Sequence, residues 1–149
     1  MTRPVVMALA AVALAACAPA PGVGAPQPIQ VPTGPAEHFS TLAQNVLVPR
    51  CATASCHAGT SPPAYPPLDE DLAYGALVGG AGRGVQSQQA PLNLVEPFDP
   101  ASSYLVMKLR GTAGDVGGVA SPMPIGDAAL DEADIQAIEA WIANGAPND

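Results

Sequence analysis

The sequence is poor in aromatic side chains and in positive charge. Two Phe, three Tyr and one Trp in 149 residues leave little material for a large core. The chain has five Lys and Arg residues and thirteen Asp and Glu residues, which gives a formal net charge of −8. No basic patch exists to neutralise phosphates, so nucleic acid is excluded as a partner. A basic protein partner would be attracted instead.

Long apolar runs are also rare, and the one that stands out lies near the first residue. Residues 5–16 follow Arg3 and are too few to span a bilayer, which is typical of a signal peptide. The run ends in the letters LAAC, which resemble the lipobox of bacterial lipoproteins. The resemblance implies cleavage before Cys17 and a lipid on its thiol. The alternative is an ordinary signal peptide cut near Ala18 or Ala20.

Cysteine is scarce, with three residues in the chain. If lipid takes Cys17, an exported protein keeps Cys51 and Cys56 as an even pair in an oxidising compartment. Residues 18–35 hold many prolines and no charge, which predicts an extended tether. We therefore expect a signal peptide over 1–16, a lipidated Cys17 with its tether over 17–35, and one small domain over 36–149.

Apolar residues recur at helical spacing in this domain, and no alternating strand pattern is convincing. Helices are predicted over residues 36–48 and 69–78. A third should run from an Asp99 cap to a stop at Gly111, and a fourth should begin at an Asp131 cap and end near 144–145. Asp134 stands in the capping-box position, and residues 79–90 read as a flexible loop. The predicted class is all-α, a small bundle of three to four helices with long Gly- and Pro-rich loops.

The stretch CATASCH places Cys51, Cys56 and His57 close together. A c-type haem attachment site has the pattern C-x-x-C-H, two residues shorter. On a helix, a separation of five residues sets the two cysteines roughly 140° apart. Residues 52–55 must therefore bulge outward if both thiols bind haem. The alternatives are a Cys51–Cys56 disulfide beside a surface histidine and a zinc site, which would need further ligands.

A second candidate ligand lies between two prolines, just before the last predicted helix. Met123 could offer its thioether to a metal, although methionines more often pack. Met107 and His38 are weaker candidates for the same role, because packing and solvent exposure explain them more simply. Arg83 could pair with a haem propionate, but a charge on a flexible loop explains it more simply.

The order of these parts resembles class I cytochrome c over nearly all of residues 36–148. A helix, the attachment motif, SSYLVMKL, SPMPIG and DIQAIEAWIANGA follow in the order of that family. The resemblance implies a cytochrome c-like bundle in which Cys51 and Cys56 carry haem c. It implies His57 as the proximal and Met123 as the distal iron ligand.

His/Met ligation fills both axial positions of the iron and favours electron transfer over catalysis. We therefore expect a monomeric electron carrier, not an enzyme, anchored by lipid in the periplasm or at the cell surface and serving redox partner proteins. The alternative is a haem-free envelope lipoprotein of the same fold. It would have a Cys51–Cys56 disulfide and act as a binding or structural module.

Overall fold

The computed structural model describes residues 37–149, so the predicted signal peptide, Cys17 and the tether lie outside the described residues. Within that range the regular elements are helical and no strand occurs, which confirms the all-α class. No helix among the described residues is long and apolar enough to cross a membrane. The helices are α1 (Phe39–Leu42), α2 (Val48–Arg50), α3 (Ala73–Leu77), α4 (Tyr104–Arg110) and α5 (Glu132–Ala143).

The first predicted helix begins later and ends later than its sequence pattern indicates. α1 starts at Phe39 and continues through a π-helical turn, Ala43–Leu47, directly into α2. Pro49 does not end the helix; it lies inside α2, within the first two positions after the π-helical turn. Proline lacks the N–H that an α-helical ladder needs, and the wider turn lies immediately before that missing donor. The helix therefore reaches Arg50 and delivers the chain straight into the cysteine motif.

The predicted helix from Asp99 to Gly111 is split in two. A 3₁₀ turn, Pro100–Ser102, comes first, and its N-cap Asp99 accepts a hydrogen bond from the Ser102 N–H, as predicted. The chain then extends at Ser103, whose buried hydroxyl accepts from the Glu96 N–H at 2.8 Å and donates to the Asp99 carbonyl at 2.9 Å. This side chain competes with the helical hydrogen bonds, so α4 starts only after it.

The predicted loop over residues 79–90 pairs with the segment that follows it, and that segment supports the start of α4. Gln86 and Asn93 form an isolated antiparallel bridge. The carbonyls of Asn93 and Leu94 accept hydrogen bonds from the Tyr104 and Leu105 N–H groups, each at 2.9 Å. These carbonyls satisfy two donors that a helix N-terminus leaves unpaired. The loop thereby fixes the position from which α4 reaches the candidate site.

The last helix agrees with its predicted apolar stripe but not with its predicted cap. Ile135, Ile138, Trp141 and Ile142 are all buried. Asp131 occupies the N-cap position, yet its side chain makes no capping hydrogen bond. The exposed carboxylate is solvated instead, and no capping-box hydrogen bond is formed.

One apolar core joins the helices and reaches the candidate ligands. The Trp141 ring lies 5.1 Å from that of Phe39, and Phe39 meets Tyr74 edge-on at 5.2 Å. Such aromatic pairs add stability beyond the area they bury, which matters in a chain with so few rings. Cys51 and Met123 are both partly buried against this same core. The two predicted halves of the site therefore rest on one scaffold.

Two glycines in residues 79–90 differ in how closely the surrounding atoms pack against them. Gly82 and Gly84 both have positive φ, at 63° and 82°. A Cβ at Gly82 would meet nothing within 4 Å, whereas one at Gly84 would lie 2.4 Å from the Val95 carbonyl oxygen. Gly82→Ala should lower the free energy of unfolding by about 1 kcal/mol. Gly84→Ala should lower the free energy of unfolding by about 2 kcal/mol more than Gly82→Ala does. Urea denaturation measures both losses. Equal losses would contradict the close packing.

Candidate functional site

The cysteine motif forms a tight turn beyond the end of α2. Arg50 is the last helical residue, and the Cys56 N–H donates to the Thr53 carbonyl at 2.9 Å. The His57 N–H then reaches back to the Cys51 carbonyl at 3.3 Å. Of the inserted residues, Ala52 is half-buried and residues 53–55 are exposed. Residues 53–55 are thus the solvent-facing part of the turn, while His57 is buried and Cys51 is half-buried.

His57 is the buried titratable side chain of this turn. Its Nδ1 lies 2.7 Å from the Pro66 carbonyl oxygen. A carbonyl oxygen can only accept, so Nδ1 carries the hydrogen and the lone pair of the neutral ring is on Nε2. Within the described residues Nε2 makes no hydrogen bond, and no buried side-chain nitrogen or oxygen is left unpaired there. Nε2 is therefore not fully enclosed, and its lone pair has no partner among the described residues.

The two cysteines are free thiols with unlike surroundings. Cys51 is half-buried against the core, and burial raises its pKa to about 11 despite the nearby charge of Arg50. Cys56 is solvent-accessible, and hydrogen bonds from the Thr53 and Ser55 side chains lower its pKa. Because the thiolate is the nucleophile, Cys56 is the reactive partner and Cys51 the inert one.

Met123 is half-buried in a loop that α4 holds. Its backbone N–H donates to the Lys108 carbonyl at 2.9 Å. The Lys108 ammonium donates to the Val119 carbonyl at 2.9 Å and, over a shorter distance, to the Ser121 carbonyl. Lys108 is itself buried, and desolvation lowers its pKa. We name residues 119–126 the methionine loop.

Arg50 ties the chain just beyond the methionine loop to the cysteine turn. Its Nη2 donates to the Ala128 carbonyl at 2.7 Å and lies 3.6 Å from the Asp127 carboxylate. Since Cys51 follows Arg50 directly, this contact brings the start of the motif next to the segment that follows Met123. The hydrogen bond matters more than the ion pair, because Asp127 is largely exposed and solvent weakens the attraction.

The remaining candidates lie elsewhere. His38 is exposed and forms an ion pair with Asp149 at 2.9 Å. Met107 packs against the core from α4. Arg83 is exposed. Each of these placements matches the simpler interpretation of that residue given above.

Three contributors were not anticipated from the sequence: Pro66, Lys108 and Arg50. Pro66 acts through its carbonyl, a group that every residue has, so no pattern in the sequence marks it. Lys108 stands among apolar residues of a predicted helix, and this placement is the one signal that could have drawn attention to it. The adjacency of Arg50 to the motif was visible, but its partner at Ala128 depends on the fold.

The donor set suits haem better than a bare metal ion. Among residues 37–149, no three His, Cys, Asp or Glu side chains are grouped so as to hold a metal ion, which leaves the zinc alternative without further ligands. A c-type haem asks only for two thiols, an imidazole nitrogen and a second axial ligand. Cys51, Cys56, His57 and Met123 supply these donor types. Searches of protein-family models, curated proteins and solved structures found no match to this chain.

The unlike thiols predict a pH-dependent labelling pattern in haem-free, reduced protein. Iodoacetamide should modify Cys56 at least about tenfold faster than Cys51 near pH 8, because more of Cys56 is thiolate at that pH. As pH rises, the Cys56 rate should level off at a lower pH than the Cys51 rate, which should still climb towards pH 11. Peptide mass spectrometry of timed samples measures both rates.

A matched variant isolates the cause of this difference. Thr53→Val removes the hydroxyl that contributes most to the acidity of Cys56. It should slow labelling of Cys56 near pH 8 and leave the Cys51 rate unchanged. Equal rates for the two cysteines in the wild-type protein would contradict the assigned environments.

Proposed function

We propose that this chain is a single-haem c-type cytochrome that carries electrons in the cell envelope and is anchored by lipid on Cys17. The observation that carries the proposal is the hydrogen bond from His57 Nδ1 to the Pro66 carbonyl. Histidines that bind metal almost always donate their other ring N–H to a carbonyl, a carboxylate or water. The bond fixes the tautomer and leaves Nε2 as the ligand atom.

Four side chains would hold the haem. The thiols of Cys51 and Cys56 would form thioethers with its vinyl groups, and His57 and Met123 would bind the iron. When bound, the haem supplies one-electron redox chemistry. With both axial positions filled, no open position remains for a substrate, so the proposed role is electron transfer and not catalysis.

The chain's own residues would tune this centre. The Pro66 carbonyl holds the His57 ring and increases its basicity as a ligand. A methionine ligand raises the redox potential relative to other sixth ligands. The hydrogen bonds from Lys108 and Arg50 support the methionine loop and the chain after it. A ligand held by its surroundings in this way keeps its geometry without help from the haem.

The surface charge supports a basic redox partner. Glu70, Asp71 and Asp149 line one cleft together with Phe39 and Tyr74. A negative patch of this kind speeds encounter with a positively charged protein. In the proposal the carrier is a monomer, and its partners are other redox proteins outside the cytoplasm. The haem-free alternative would have a Cys51–Cys56 disulfide in place of the two thioethers.

Replacing the proposed distal ligand tests the function by spectroscopy. Met123→Ala, expressed with c-type haem maturation, should keep its haem but lose the near-infrared sulfur–iron band and show a lower redox potential. Met107→Ala is the matched control, because this methionine packs on the same core from α4. It should keep both the band and the potential. Loss of the band in Met107→Ala and its retention in Met123→Ala would assign the ligand to Met107.

Replacing the proposed anchor residue tests the location. Cys17→Ala should no longer incorporate labelled fatty acid, and the protein should move from the membrane to the soluble fraction of its native host. Cys51→Ala is the control for a general effect of cysteine loss and should stay with the membrane. Undiminished labelling of Cys17→Ala would contradict lipid attachment at this position.

A further inference from the structure

Lys108 is buried without a counter-charge. The residue is 7% exposed, although lysine is almost never buried unless paired. Within the described residues its ammonium forms no salt bridge, and the four ion pairs there involve other side chains. Its hydrogen-bond partners are two backbone carbonyls, those of Val119 and Ser121. Burial of a charge costs free energy, so stability alone gives no reason for a lysine here.

All the contacts that set Lys108 apart go to one segment. The side chain donates to two carbonyls of the methionine loop, and the backbone carbonyl of Lys108 accepts the Met123 N–H. These three hydrogen bonds bracket the five residues that end at Met123. Lysine suits such a role because its three donors on a flexible stem can bridge two carbonyls.

The centre of the methionine loop, residues 122–124, has few main-chain donors with which to hold itself. Pro122 and Pro124 flank Met123, and proline has no backbone N–H. The Met123 N–H is therefore the one main-chain donor between residues 122 and 124, and it is already used by Lys108. The loop is held from α4: the Lys108 ammonium donates to the Val119 and Ser121 carbonyls, and the Lys108 carbonyl accepts the Met123 N–H.

We propose that Lys108 is a positioning residue, which holds the methionine loop so that the Met123 thioether stays at its ligand position. The proposal deepens the proposed function, since it concerns a ligand of the same haem. The order of the loop itself can also be measured without haem. Two separate measurements therefore decide the two claims.

The first measurement uses protein matured with haem. Lys108→Met keeps the length of the side chain but removes its charge and donors. It should retain covalent haem yet lose most of the near-infrared sulfur–iron band and lower the redox potential, as Met123→Ala does. Lys108→Arg restores charge and donors and should recover much of the band. A role in stability alone would move neither the band nor the potential.

Arg110→Met is the matched control. Arg110 is another cation of α4, and it bonds to Glu139 and Glu132 instead of to the methionine loop. Its loss should lower the free energy of unfolding but leave the band and the potential unchanged. If Arg110→Met loses the band to the same extent as Lys108→Met, general destabilisation of α4 explains both, and the proposal is overturned.

The second measurement uses haem-free protein and dilute hydrogen peroxide. Lys108→Met should speed sulfoxide formation at Met123 by about tenfold or more, because loss of charged hydrogen bonds favours local opening of the loop. Met107, on the same helix as Lys108 but outside the loop, is the internal reference and should keep its rate. Peptide mass spectrometry follows both methionines in one sample.

Hydrogen exchange on the wild-type protein needs no variant and covers the case in which Lys108→Met does not fold. The Met123 amide should exchange slowly, as amides within α4 do, because it bonds to the Lys108 carbonyl. Exchange as fast as at an exposed loop amide would overturn the proposal.

The outcomes for the two claims are distinguishable. A wild-type protein that takes up no haem refutes the proposed function, and peroxide oxidation with hydrogen exchange then decides whether Lys108 holds the loop. Wild-type haem with an unchanged band, potential and Met123 oxidation rate in Lys108→Met refutes the inference and leaves the proposed function standing.

Discussion

The candidate site depends first on the hydrogen bond between His57 Nδ1 and the Pro66 carbonyl. Without it the buried ring could take either tautomer and either orientation, and Nε2 would not be reserved for a ligand. The bond closes the loop from His57 to Pro66, and backbone hydrogen bonds hold neighbouring residues as well. The Ala64 N–H donates to the Cys56 carbonyl and the Leu68 N–H to the His57 carbonyl. Residues 64–68 are therefore tied by three hydrogen bonds to the turn that holds Cys56 and His57.

Hydrogen bonds to backbone carbonyls recur at the other parts of the site. Two of the few basic residues, Arg50 and Lys108, donate hydrogen bonds to backbone carbonyls. Those carbonyls lie in or just after the methionine loop. A chain with so few aromatic residues and so many prolines and glycines has limited means of fixing its loops by apolar packing. Side-chain donors on helices replace the missing main-chain donors. Apolar packing holds the helices together, and hydrogen bonds from Arg50 and Lys108 on those helices hold the loop segments near Met123.

The parts of this protein that sequence predicts well are those with a local signal. The stripe of Ile135, Ile138 and Ile142 follows from helical spacing, and the Gly111 stop follows from its left-handed backbone. The cysteine motif and the Pro-Met-Pro segment are visible for the same reason. The break at Ser103 could not be predicted, because its hydroxyl chooses partners at Glu96 and Asp99 that only the folded loop brings near.

The parts that sequence does not predict are long-range contacts through groups without a signature. The Pro66 carbonyl and the Lys108 ammonium acquire their roles from distances of 2.7 Å and 2.9 Å across the fold. Continuation of the first helix through Pro49 is a local exception, since it coincides with a π-helical turn just before that residue. Local propensity is a weak prior where tertiary contacts decide.

The central claim is that Cys51 and Cys56 carry one haem. The intact mass of the denatured protein, isolated after expression with c-type maturation and treated with a thiol-alkylating reagent, tests it most directly. The account predicts the mass of the mature chain plus one haem, with no alkyl group on either cysteine. A mass lower by two hydrogens, or one raised by two alkyl groups with no haem, would contradict it.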